Sequence, residues 1–180
     1  MNPPTPPAVV QNVAPVPLSR PPSTLPALQG IDKTFALTAL AANRAEILMA
    51  RLALQRSNVN EVRGFAQKML AEHGALAESM GAALRRAAGS AEPRELSGPD
   101  ALTYRRLQVV PDADFAQQYL IAQVGAHLAT SSAFQTEADD GADPQLKALA
   151  RRWLPTIQAH LQLALFLTGS IGGASPFKQH

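Results

Sequence analysis

Residues 35–80 contain two helical patterns separated by a short polar turn: FALTALAANRAEILMARLALQRSNVNEVRGFAQKMLAEHGALAESM. Apolar side chains recur every three or four residues on both sides of the turn, as they do on one face of an α-helix. The first helix is predicted to begin at a cap on Asp32 and to end near Arg56. A capping-box pattern at Asn58 starts the second helix, which is predicted to end near Ala88. Because the turn is so short, the two helices must be antiparallel neighbours.

A second pair of helical patterns follows a longer connection. Residues 89–112 are predicted to form a crossover that contains a short helix opened by Pro99. The third long helix is predicted over about residues 113–139, and the fourth over about residues 143–168. Two antiparallel helix pairs joined by one long crossover are typical of ferritin-like folds. The sequence therefore predicts an all-α, ferritin-like four-helix bundle.

Prolines divide the chain into a leader and a folded part. Nine of the fifteen prolines lie within residues 1–26. Proline lacks an amide donor and has a fixed φ, so this segment can form neither a helix nor a strand ladder. We expect a disordered Pro-rich leader over residues 1–30, the four-helix bundle over residues 31–170 and a flexible tail over residues 171–180. Pro155 lies inside the fourth helix and is predicted to kink it.

Composition and charge exclude several classes of function. The chain has no cysteine, which excludes disulfides, thiolate nucleophiles and cysteine-ligated metal centres. Residues 30–170 contain fourteen basic and fourteen acidic residues of interspersed sign. Nucleic-acid binding requires a one-sided basic surface that neutralises phosphates. We therefore expect no nucleic-acid partner.

The sequence also lacks a recognisable membrane segment. No apolar run is long enough to span a bilayer, so we expect no transmembrane span. The first residues have no basic stretch followed by an uninterrupted apolar stretch, so no secretory signal peptide is visible.

Four short motifs, in order and with consistent gaps, resemble a known bacterial family. They are FALTALAANRAEILMARLA (residues 35–53), NEVRGFAQKMLAEH (60–73), DFAQQYLIAQVGAH (114–127) and DPQLKALARRWLPTIQAHLQLA (143–164). Over about residues 32–168 the chain resembles the family of domain of unknown function 4142, whose members are often labelled outer-membrane proteins. The resemblance implies a ferritin-like bundle in an exported, periplasmic protein and brings no established chemistry. For a protein partner, the candidates are another envelope protein and a second copy of the chain.

Three histidines and one glutamate fall on the apolar faces of different predicted helices. These residues are Glu46, His73, His127 and His160. Counting residues from the two short turns places all four near the middle of the bundle, because each residue of a helix rises about 1.5 Å. Three imidazoles and one carboxylate that converge in a core are typical ligands of a transition metal, here zinc, copper or iron. Glu72 precedes His73 and is expected to point about 100° away, toward a helix flank.

The same residues admit other interpretations. In the first, the cluster is a hydrogen-bonded polar layer in a non-enzymatic envelope protein, with each ring satisfied by Glu46, another imidazole or buried water. In the second, the chain is a transition-metal binding or storage protein, and in the third it is a redox enzyme at that metal. Di-iron oxidases require Glu-x-x-His motifs, but Leu70 and Ile157 stand three residues before His73 and His160. A di-iron enzyme is therefore not expected, and no catalytic residue is predicted.

Overall fold

The computed structural model describes residues 27–88, 96 and 98–172, and nearly all of these residues are helical. The prediction of an all-α fold is confirmed, since no strand occurs within these ranges. Most of the predicted leader and tail lie outside the described residues. The helices are α1 (Gly30–Arg56), α2 (Asn60–Ala88), α3 (Gly98–Val109), α4 (Asp112–Asp140) and α5 (Pro144–Gly172).

The four long helices pack as a bundle. Helix α1 packs mainly on α2, and α4 mainly on α5, with only three residues connecting the helices of each pair. Contacts of α1 with α4 and of α2 with α5 join the two pairs, and α3 lies against α1 and α4. The short connections and the apolar periodicity, both visible in the sequence, therefore determine which helices are neighbours.

The apolar core is divided into two clusters along the bundle. The Tyr119 cluster surrounds Tyr119 and includes Met49, Phe65, Met69, Leu120 and Ala164. The Phe134 cluster surrounds Phe134 and includes Phe35, Leu76, Met80, Leu146 and Ile157. On each of α2, α4 and α5, a single histidine lies between residues of one cluster and residues of the other. A polar layer therefore separates the two clusters.

The start of α1 differs from the prediction. The helix begins at Gly30, whose φ of 51° lies in the left-handed region that glycine adopts readily, and Asp32 is not its cap. The Asp32 carboxylate instead accepts hydrogen bonds from the amides of Ala142 (2.9 Å) and Asp143 (3.2 Å). Leu28, which the predicted leader includes, is buried, and its amide donates to the carbonyl of Arg86. Ordered contacts thus begin before residue 30.

The start of α5 follows the prediction. Asp143 accepts hydrogen bonds from the amides of Gln145 (3.1 Å) and Leu146 (2.9 Å), as an N-terminal cap does. Its other carboxylate oxygen forms an ion pair with Arg86, which is largely buried at the end of α2. The cap therefore also connects the two helix pairs. Helix α5 runs without a break through Pro155, and the kink there stays a prediction.

Arg56, the last residue of α1, holds the opposite end of the bundle together. Its guanidinium lies 4.6 Å from the centre of the Phe115 ring and pairs with Asp112 at the start of α4. It also donates hydrogen bonds to the carbonyls of Leu107 (2.7 Å), Gln108 (3.1 Å) and Val110 (2.5 Å). One side chain therefore satisfies two of the carbonyls that the end of α3 leaves without helical partners, and that of Val110 beyond it.

Within the described ranges, no helix is both long enough and apolar enough to cross a bilayer. This agrees with the sequence, in which no apolar run is long enough to span a bilayer.

Candidate metal centre

The polar layer between the two apolar clusters is made by His73 on α2, His127 on α4 and His160 on α5. All three are buried, with 1–2% of each residue exposed. The centres of the rings are 5.5 Å apart for His73 and His127, and 5.3 Å apart for the other two pairs. One ring nitrogen from each lies within 4.8 Å of those of the other two. The prediction that the three rings face the interior and lie together is confirmed.

Asn43 on α1 holds the ring of His73. The Nδ1 atom of His73 lies 2.7 Å from the side-chain oxygen of Asn43. The side-chain nitrogen of Asn43 donates to the backbone carbonyl of His73 at 2.9 Å, which fixes the orientation of the amide. An amide oxygen can only accept, so Nδ1 of His73 carries the proton and Nε2 presents a lone pair.

The other two rings are held in the same way by acceptors. Nδ1 of His127 lies 2.9 Å from the backbone carbonyl of Gln123, one turn earlier on α4. Nε2 of His160 lies 2.5 Å from the carboxylate of Glu72, which also pairs with Lys68 on the surface of α2. These acceptors place a proton on Nδ1 of His127 and on Nε2 of His160. The opposite nitrogen of each ring is therefore left as a lone pair.

Three buried ring nitrogens have no partner. They are Nε2 of His73, Nε2 of His127 and Nδ1 of His160, and none has a hydrogen-bond donor among the described residues. A buried polar atom without a partner destabilises a protein by about 1–3 kcal/mol. A metal ion would satisfy all three at once. In a tetrahedral site with bonds of about 2.0–2.1 Å, the nitrogens lie about 3.4 Å apart, so binding needs ring movements on the order of 1 Å.

Burial keeps the three rings neutral. It lowers the pKa of His73 to about 2 and that of His127 to about 4, and for His73 the two neighbouring imidazoles add to the effect. Burial also lowers the pKa of His160, although Glu72 opposes this change by favouring the charged ring. Metal ligation requires neutral imidazole. The rings are thus held in the protonation state that binds metal.

The chain is similar in sequence to a known protein family. The sequence profile of the domain of unknown function DUF4142 matches residues 18–167. The chain belongs to the DUF4142 family. The crystal structure of a DUF305 fragment from Deinococcus radiodurans is similar, with a TM-score of 0.69 and 19% sequence identity. The similarity covers 81% of this chain and 99% of the fragment, and at this identity it shows a shared fold alone. A comparison with curated proteins gives no match.

In this DUF4142 chain, Glu46 is not part of the histidine group. Its carboxyl is buried near Gln123 and Tyr119, and burial raises its pKa to about 8. Asn43, one turn earlier on α1, contacts His73 instead. Counted from Asn58 in the turn, Asn43 is 58 − 43 = 15 residues back and His73 is 73 − 58 = 15 residues forward, so the two lie level. Glu46 is three residues nearer the turn, which shifts it by about 4–5 Å along the axis.

Glu72 contacts the histidine group of the DUF4142 chain, although the sequence analysis did not include it among the candidate ligands. The Glu72 side chain lies on the flank of α2. Helix α5 packs against α2, and this packing brings His160 within reach of the Glu72 carboxylate. The Glu72 side chain is 32% exposed, whereas that of His160 is 1% exposed. Glu72 therefore connects the buried site to the surface. Its interaction depends on the packing of two helices, which periodicity within α2 alone cannot indicate.

Proposed function

We propose that the chain binds one divalent transition-metal ion through His73, His127 and His160. The observation that carries the proposal is a group of three buried histidines that each offer a ring nitrogen within 4.8 Å of the others. One nitrogen of each ring also has no hydrogen-bond partner among the described residues. Each ring is also held from its far side by an acceptor that fixes the tautomer. This arrangement is typical of metal-ligating histidines, which donate their other N–H to a carboxylate or a carbonyl.

The three imidazole nitrogens limit which metal ions suit the site. Imidazole nitrogen suits zinc, copper, iron and nickel, whereas magnesium and calcium prefer oxygen ligands. The group contains no carboxylate that would bridge two ions, as di-iron centres require. We therefore propose metal binding at a single ion and not a di-iron redox centre.

The metal-free interpretation, a hydrogen-bonded polar layer in an envelope protein, requires a donor for each of the three nitrogens. The described residues supply none, so in that interpretation buried water would have to donate to each nitrogen. A single metal ion would bind all three rings at once, and for this reason we propose the metal site. Export to the envelope rests on the family resemblance and stays a proposal. The ferritin-like arrangement of the helices is likewise proposed, supported by the pairing of α1 with α2 and of α4 with α5.

The stoichiometry of metal binding tests the proposal directly. The full chain, purified without an affinity tag, is incubated with an excess of Zn²⁺, passed through a desalting column and analysed for bound metal. We expect one ion per chain. Parallel samples with Cu²⁺ and Fe²⁺ rank the metals, and Co²⁺ reports the coordination geometry by its visible absorption. A chain that retains none of these ions contradicts the proposal.

Replacing Glu72 by alanine is expected to weaken metal binding. The substitution removes the carboxylate that orients His160 and raises the basicity of its ring. Loss of such a supporting group reduces metal affinity by about 10–100-fold. Competition with a chromophoric chelator measures the change. Glu78→Ala is the matched control, because Glu78 is an exposed glutamate on the same helix. Equal affinities for the two variants would show that Glu72 has no role in the site.

A further inference from the structure

A second candidate site lies outside the histidine layer, in a pocket between α1, α4 and the start of α3. Its volume is about 320 Å³. Alanines of α1 and α4 line much of it, among them Ala42, Ala126 and Ala133, together with the ring of Phe134. Pockets for small molecules are mostly apolar and occupy about 300–1,000 Å³. This pocket is therefore of a size that takes a small organic molecule.

Two carboxyl groups line the apolar pocket. Glu46 is only 3% exposed, and one of its carboxyl oxygens has no hydrogen-bond partner among the described residues. Asp100, in the first turn of α3, is half-buried. Both residues line the same pocket, so the two carboxyl groups face one space. No basic side chain is among the described residues that line the pocket.

We propose that this pocket binds a small organic ammonium ion. The ammonium group donates hydrogen bonds to Glu46 and Asp100, and the apolar body of the molecule packs against the alanines and Phe134. An ammonium group carries three donors and can contact both carboxylates. Its positive charge favours the ionised form of each carboxyl group, which burial otherwise disfavours.

An organic cation fits the pocket better than a metal ion. Calcium takes six to eight oxygen ligands, and magnesium requires octahedral coordination. The described residues place no third carboxylate or imidazole with Glu46 and Asp100 that would complete such a site. The alanine wall offers no ligand atoms from side chains, but it offers apolar surface to a hydrocarbon group.

A pair of isosteric probes tests the proposal on the full, metal-free chain. Phenethylammonium carries the charge, and 2-phenylethanol has the same shape without it. We expect phenethylammonium to shift the NMR signals of the Ala42, Ala126 and Ala133 methyl groups in a saturable manner. The neutral alcohol should bind at least about tenfold more weakly, since hydrogen bonds between charged groups are the stronger ones. Equal binding of both probes overturns the proposal, as does the absence of shifts at these methyl groups.

Three variants locate the binding. Glu46→Gln keeps the shape of the side chain and should lower the affinity for phenethylammonium about tenfold. Ala126→Leu fills the pocket and should abolish the shifts of the other methyl groups, whereas Glu78→Gln on the surface of α2 should leave them unchanged. Unaltered affinity in both pocket variants places the probe elsewhere and contradicts the proposal. The histidines are intact in every variant, so the outcome is independent of metal binding.

Discussion

Replacing His127 by alanine is expected to reduce the affinity of the chain for Zn²⁺ by about 10²–10³-fold. Zinc binding at structural sites is worth about 10–16 kcal/mol, which over four ligands gives about 2.5–4 kcal/mol for each. Since about 1.4 kcal/mol corresponds to a factor of ten, the loss of one ligand accounts for this range. Among the described residues, no further histidine or carboxylate belongs to this group that could replace the ring of His127.

Chelator competition on matched variants measures this loss. His180→Ala removes the only other histidine of the chain and is the control. His73→Ala and His160→Ala should lose as much affinity as His127→Ala, because the three nitrogens act on one ion. Circular dichroism of each variant establishes that the helices persist. If His127→Ala bound Zn²⁺ as tightly as His180→Ala, the ion would have to lie elsewhere.

Replacing Glu46 by glutamine is expected to stabilise the metal-free protein by about 3 kcal/mol at pH 7. The pKa of Glu46 is raised from 4.5 to about 8, so its carboxyl is protonated in the folded state and ionised in the unfolded state at this pH. The stability that the protonated group contributes is complete below about pH 4.5 and is lost as the pH rises toward 8. Each pH unit above 4.5 lowers the free energy of unfolding by about 1.36 kcal/mol. Between pH 4.5 and pH 7 the loss amounts to about 3 kcal/mol. Glutamine stays neutral throughout.

Urea unfolding at a series of pH values tests the expectation. Glu46→Gln should reduce the decline in stability between about pH 5 and 8, leaving the part that comes from Glu137, whose pKa burial raises to about 7. Glu78→Gln, at an exposed position, should leave the decline unchanged. The stability measured at acid pH provides an internal control. The buried His73 and His127 have lowered pKa values, so their contribution is complete above about pH 6.5 and is lost as the pH falls. Both variants should retain that decline. If Glu46→Gln and the parent chain had the same stability at pH 7, Glu46 would be ionised in the fold.

The helices and their partners could be predicted from the sequence because the information is local. Each pair has a three-residue connection, and the apolar periodicity on either side shows which faces meet. The cap on α1 was predicted wrongly for the opposite reason. Asp32 has the residue type of a cap, yet its hydrogen bonds go to backbone amides 110 and 111 residues further along the chain. Nothing local indicates that pairing.

In the candidate site, too, some features could be predicted from single helices and others depend on how the helices pack. The inward orientation of His73, His127 and His160 follows from periodicity within single helices, and it is confirmed. The groups that hold the rings lie on neighbouring helices, so they depend on axial levels and on interhelical packing. Asn43 could have been found, because it is level with His73 about the first turn. Glu72 could not, since only the approach of α5 to the flank of α2 makes it a partner of His160.

The polar layer also limits how these helices can align. Helices rich in alanine and leucine have similar apolar faces at every turn, so a slip of one helix by a turn, about 5.4 Å, would still bury apolar surface. Such a slip of α5 would separate His160 from Glu72 and move its ring into one of the apolar clusters. The ring would then be buried without a partner, and Glu72 would lose its hydrogen bond. A shifted alignment would thus leave buried polar groups without partners. The histidine layer therefore favours one alignment of the helices among several that the apolar residues alone would allow.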